Sequence, residues 1–249
     1  MSDQLSLQRV TRVLRNDVMR SYRSTLVISG TAALVALVVS LSLAYDGEVS
    51  QTPLFYRAFF IGLLFAWGAL ATSEAFSDLH GRATSASFLL LPASALEKTL
   101  SPLLIYTVGL GVYLFAFTTA LSWVLEGINT LWIGERRELF SPFDSLAWSL
   151  VPHFLVAQAL FFLGAAWFRK GQFIKTVGAV IGIVTGLSAF AVLVEWLLGP
   201  QSSGGGFYYD DPTDWIVAVA PWVYYFVLPP FCWFVAWLRV TETQVSHGI

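Results

Sequence analysis

The sequence predicts an all-α integral membrane protein of six transmembrane helices, and two observations carry that reading. Of the 249 residues, 56% are hydrophobic and only 12% charged, whereas a soluble domain carries about 25% charged residues. The apolar residues also gather into six runs, at about 25–45, 55–76, 99–125, 146–168, 175–198 and 215–238. Each approaches or exceeds the ~20 residues that a helix needs to cross a bilayer. The runs are continuous rather than alternating in polarity, which argues against a membrane β-barrel. An aromatic share of 16%, with ten tryptophans, suits belts that anchor helices at headgroup level.

Residues 1–24 precede the first run. Leu7, Val10, Leu14 and Val18 follow one helical stripe, and Arg9, Arg12, Arg20 and Arg23 keep the same rhythm roughly opposite. Such a helix is expected to lie in the headgroup layer with its arginines toward anionic lipid. It serves either as a topology signal alone or as an elbow helix that also leans on a cytoplasmic partner. No cleavable signal peptide is expected, because the first apolar run starts only near Thr25, after an arginine-bearing segment.

The breaks between runs carry turn or charge signals: Asp46-Gly47-Glu48, Arg169-Lys170-Gly171, and the Gly-, Ser-, Pro- and Asp-rich stretch 199–214. Orientation follows from the basic residues beside the runs. With the N-terminus inside, 11 of the 14 lysines and arginines fall on the cytoplasmic side, leaving Arg57, Arg136 and Arg137 outside. Acidic residues, Glu126 and Asp144 among them, lean outward. Both termini are therefore expected in the cytoplasm, residues 239–249 forming a cytoplasmic tail. The outer segments 126–145 and 199–214, with Trp132, Phe140, Phe143, Tyr208 and Tyr209, read as solvated loops with interfacial aromatics or as caps over a pathway mouth.

The segment between the second and third runs, 77–98, is the most informative. Its stretch from Arg82 to Leu91 suits two to three helical turns, stopped by Pro92, which disfavours helix at the residue before it. Ser94 then stands three residues before Glu97, the spacing of a capping box at the start of the third span. The Phe88-Leu89-Leu90-Leu91 run is apolar where water is expected, as at protein contacts. A plain loop helix followed by a capped span is the simpler reading.

The pattern Glu74 … Arg82 … Leu89-Leu90-Leu91-Pro92-Ala93-Ser94 … Leu96-Glu97-Lys98 resembles the cytoplasmic loop of type-2 ABC transporter permeases. It covers about 25 residues; the topology, with an amphipathic helix first and six spans, agrees over the whole chain. Ala95 departs from the pattern, standing where such permeases often carry a basic residue. The resemblance implies a bacterial inner-membrane permease subunit that works in pairs, with a second copy or a paralogue. It implies a coupling helix, made here by Arg82, Phe88, Leu89, Leu90, Leu91, Pro92, Ser94 and Glu97, seated on a separate ABC ATPase subunit. ATP and Mg would be bound by that subunit.

The chain's own chemistry is sparse. It lacks a P-loop, H-E-x-x-H and G-x-S-x-G, so no ATP hydrolysis, metalloprotease or hydrolase reading has support, and no cofactor or nucleic-acid partner is expected. Three scattered histidines and the single Cys232 make no metal site. Within the fourth run, His153 and Gln158 either line a substrate path or hydrogen-bond between helices. Gly178, Gly182 and Gly186 notch one face of the fifth run, for close helix packing within the chain or for a dimer seam. Pro229-Pro230 is expected to break or kink the last span. An exporter permease subunit is thus the leading expectation. A scaffold subunit of a membrane complex comes second, and a membrane enzyme or secondary transporter third.

Overall fold

The computed structural model describes residues 7–45, 52–81, 94–134, 139–141, 143, 145–198 and 219–246, all of them helical or connecting, with no strand among them. Its helices are α1 (Leu7–Tyr45), α2 (Thr52–Ser73), the single turn α3 (Ser77–His80), α4 (Ala95–Leu104), α5 (Leu110–Ile133), α6 (Ser145–Trp167), α7 (Gln172–Leu198) and α8 (Leu228–Ser246). Among the described residues six helical segments are long and apolar enough to cross a membrane. The end of the bundle at Gly81 and Ser94 is called the near end below, and the opposite one the far end.

Two spans contain a wide π-helical turn, at Ile105–Gly109 and Val223–Val227. The second has a local cause. Proline lacks the N–H for an i→i−4 bond and its ring crowds the preceding turn, and a π adjustment re-satisfies the freed backbone groups. Pro229-Pro230 lies just after that turn. The last span is therefore widened at its prolines rather than broken: helix continues from residue 219 to Ser246. The first π turn joins α4 to α5 without a break, making one candidate span, Ala95–Trp132, longer at both ends than the apolar run alone indicates.

α1 joins residues 7–24, the described part of the expected N-terminal helix, to the first span without a break. It runs unbroken through 39 residues, about 58 Å at 1.5 Å per residue, because nothing near Thr25 stops a helix. Of the apolar stripe, Leu14 is half-buried and Val18 45% exposed; further along, the residues turned inward are Ser29, Ala32, Ala36, Ser40 and Ala44. Small side chains let helix backbones approach closely where lipid supplies no hydrophobic drive between helices. Hydroxyls along this face return to their own carbonyls, as Ser21 Oγ does to Asp17 O (3.0 Å) and Ser29 Oγ to Thr25 O (2.6 Å).

α6 is the hub, packing against α2, α7 and α8. Toward the far end it joins a core of Tyr56, Phe60, Leu64, Trp67, Leu114, Leu125 and Phe154, with Phe140 folded onto Phe60 (ring centroids 5.5 Å apart). Toward the near end Phe76, Phe162, Ala165, Ala166, Ala236 and Val240 form a second cluster. α7 stands apart. It meets the bundle closely near its start, where Phe173 stacks on Phe161 and Thr176 presses on Gly164 so tightly that no side chain fits there. Residues 181–193 are exposed on every face.

Candidate functional site

Three polar constellations interrupt the apolar interior, and each rests on how its helices begin, bend or pack. At the near end, α4 starts with the capping box that the Ser94/Glu97 spacing predicts. Glu97 N donates to Ser94 Oγ (3.2 Å) and Ser94 N to Glu97 Oε2 (2.9 Å). These bonds satisfy two of the orphan donors of a helix start. Glu97, Lys98 and Ser101 are buried, since this turn is wedged between α1 and α8. Ser101 Oγ donates to Asp17 Oδ2 (2.9 Å), tying the N-terminal segment to the third span. Nearby, His80 Nε2 lies 3.0 Å from the Ala165 carbonyl, so that nitrogen carries the proton, and the Arg239 guanidinium lies over the Trp167 ring at 5.1 Å. Arg82, Phe88, Leu89, Leu90, Leu91 and Pro92 lie outside the described residues.

The second constellation joins α6 to the last span. His153 Nδ1 faces the Ser149 carbonyl (3.3 Å), and Nε2 meets the Tyr225 hydroxyl (2.8 Å). One neutral tautomer satisfies both, Nδ1 donating and Nε2 accepting. Tyr225 belongs to the π turn, which aims it at α6. Five residues along, Gln158 Oε1 accepts from Trp233 Nε1 (3.3 Å), while Gln158 Nε2 is buried without a partner. Both residues thus serve as interhelical partners, holding α6 and the last span side by side in the same direction. Each bond is worth roughly 0.6 kcal/mol inside a membrane protein.

Sequence reasoning placed Glu126 in an outer loop; α5 instead carries it inside the bundle, 3% exposed. Tyr56 Oη donates to Glu126 Oε1 (2.8 Å). Asn129 Nδ2 donates to Ser40 Oγ (2.8 Å) and, at 3.4 Å, to the same Oε1. Four buried polar side chains from three spans thus meet near the far end. The signal was present as Thr118, Ser122, Glu126 and Asn129, all buried along one face of α5. The apolar residues between them masked it.

Gly178, Gly182 and Gly186 do not produce close packing within the chain: a Cβ added at any of them meets nothing within 4 Å. The notches that do seat a neighbour are Gly164, filled by Thr176, and Gly68, filled by the Phe154 ring. Among the described residues no three His, Cys, Asp or Glu side chains cluster as metal ligands.

The fold defines an all-helical, multi-pass membrane protein. No family model matches the chain, and no curated protein or solved structure does so either.

Proposed function

We propose that this chain is the membrane-spanning subunit of an ATP-driven exporter of the type-2 ABC permease kind. It sits in a bacterial inner membrane with both termini in the cytoplasm. The observation that supports this best is the start of the third span. The loop phrase that resembles a coupling helix ends in a closed capping box whose Glu97 is wholly buried, and the next turn is bonded to α1 through Ser101 and Asp17. A partner pressing on residues 82–93 would push on the capped end of a helix. Reciprocal hydrogen bonds and close packing transmit such a push as rigid-body motion. Coupling needs an element with two positions that the ATPase biases, and α4 with the N-terminal half of α1 is that element.

The pathway is shared with a second copy or a paralogue, which would cover the outer part of α7, its three open glycines included. ATP and Mg stay on the partner ATPase.

The test is gentle detergent extraction of the tagged chain from its own host. A P-loop ATPase is expected to co-purify, and its basal ATPase rate is expected to change on reconstitution with this chain. Arg82→Glu and Leu90→Asp should each uncouple the two without lowering the amount of folded membrane subunit. Recovery of the chain with only a non-ATPase partner, and variants that act like wild type, would overturn the exporter reading in favour of a scaffold subunit.

A further inference from the structure

We propose that Glu126, together with Ser40, Tyr56 and Asn129, forms a binding site for one monovalent cation, either an alkali ion or a primary ammonium group. None of the four is more than 3% exposed. Charged side chains inside spans are rare and mark ion or substrate positions by default.

The hydrogen bonds around the carboxylate are lopsided. Both donors, Tyr56 Oη and Asn129 Nδ2, fall on Oε1, while Oε2 is buried with no partner at all. A carboxylate spreads its charge over both oxygens and can only accept, so Oε2 lacks a donor or a cation. A polar network left half-satisfied in a low-dielectric interior is worse than an apolar one. Among the described residues no lysine or arginine reaches Glu126 Oε2 within hydrogen-bond distance.

Charge and ligand type narrow the occupant. Tyr56 is the other titratable side chain in the network, so the site offers one negative charge, matching one positive charge rather than two. Its remaining groups are the hydroxyls of Ser40 and Tyr56 and the amide oxygen of Asn129, neutral oxygens that suit hard cations and N–H donors rather than soft metals. The donors already in place hold the carboxylate still, so that Oε2 stays oriented for the incoming charge. None of this depends on an ATPase.

The experiment is thermal unfolding of the full chain in a mild detergent. Sodium, potassium or methylammonium chloride is titrated against choline chloride, which lacks an N–H and holds ionic strength constant. At least one of the three cations is expected to raise the midpoint saturably, by roughly 5–10 °C at a hundredfold excess over Kd. Glu126→Gln should abolish that rise. A response to sodium or potassium identifies an inorganic ion, and a response to methylammonium alone identifies the amine group of an organic ligand. Should Glu126→Gln not fold, Glu126→Asp keeps the charge but withdraws it by one methylene, and should require about ten times more cation. The proposal is overturned if no cation does more than choline, if Glu126→Gln responds like wild type, or if Glu126→Asp leaves the half-saturating concentration unchanged.

Discussion

Replacing Gly164 with alanine puts a methyl carbon 2.9 Å from both Cβ and Cγ2 of Thr176, and closer still to its hydroxyl. Thr176 cannot easily withdraw, being 3% exposed and bonded through Oγ1 to the Gln172 carbonyl at 2.7 Å. Overpacking of this sort costs about 1–3 kcal/mol. Any helical Gly→Ala change also gains up to about 1 kcal/mol of intrinsic propensity, so the measurement needs a reference glycine. Gly62 of α2 supplies it, because a Cβ there meets nothing within 4 Å. For a chain of this size each kcal/mol moves Tm by about 2–4 °C. Gly164→Ala is therefore expected to unfold roughly 2–12 °C below Gly62→Ala in the same micelle, followed by circular dichroism. Thr176→Ala removes the hydroxyl and methyl that clash but leaves Cβ, so the pair Gly164→Ala/Thr176→Ala should recover part of the loss, a non-additivity expected of touching residues. If Gly164→Ala matches Gly62→Ala within about 1 °C, or if the two costs merely add, then α6 and α7 do not meet as described.

Two further outcomes are expected. Ser94→Ala removes the hydroxyl that receives Glu97 N and should cost about 1 kcal/mol, read as a fall in Tm of about 2–4 °C; Ser94→Thr should keep most of it, and equal losses for both would deny the cap its role. Oxidative cross-linking of Gly182→Cys in native membranes should give a dimer band, with the buried native Cys232 silent; a monomer at every oxidant concentration would remove a second copy of this chain from that face of α7.

How far the sequence could be read depended on which force decided each feature. Spans were legible because hydrocarbon thickness sets a length that apolar runs must meet, and α2, α6 and α7 begin and end within a few residues of those runs. The capping box was legible because it is wholly local, two side chains closing on each other over three residues. Other features depend on partners far along the chain. Asp17 reads as one more charge on an arginine-rich helix until Ser101, 84 positions away, is beside it. Glu126 reads as an outer acid until Tyr56, 70 positions away, reaches its carboxylate. The glycines of α7 and Gly164 look alike in sequence, and only the neighbouring backbone separates the notch that is filled from the three that are open. The inward face of α1 escaped an apolar-stripe search because close helix contact in lipid selects small residues rather than oily ones.

The π turn in the third span has a consequence for the chain's tolerance of change. A π turn carries one more residue than the α-turn it replaces, so everything beyond it is rotated by about 100° from where an unbroken α-helix would put it. Ser101 lies on one side of that turn, locked to α1, and Glu126 on the other, locked to α2. The third span is thus a single rod cut in two phases, like a key with two bits set at an angle. Losing one residue between 105 and 109 would restore a regular helix and force a choice, since no rotation of the straightened rod seats both Ser101 and Glu126. Losing a residue elsewhere between the two locks would turn them by the same ~100° while leaving the wide turn in place. Five ordinary residues, none of them buried, therefore hold the timing between the two ends of the molecule.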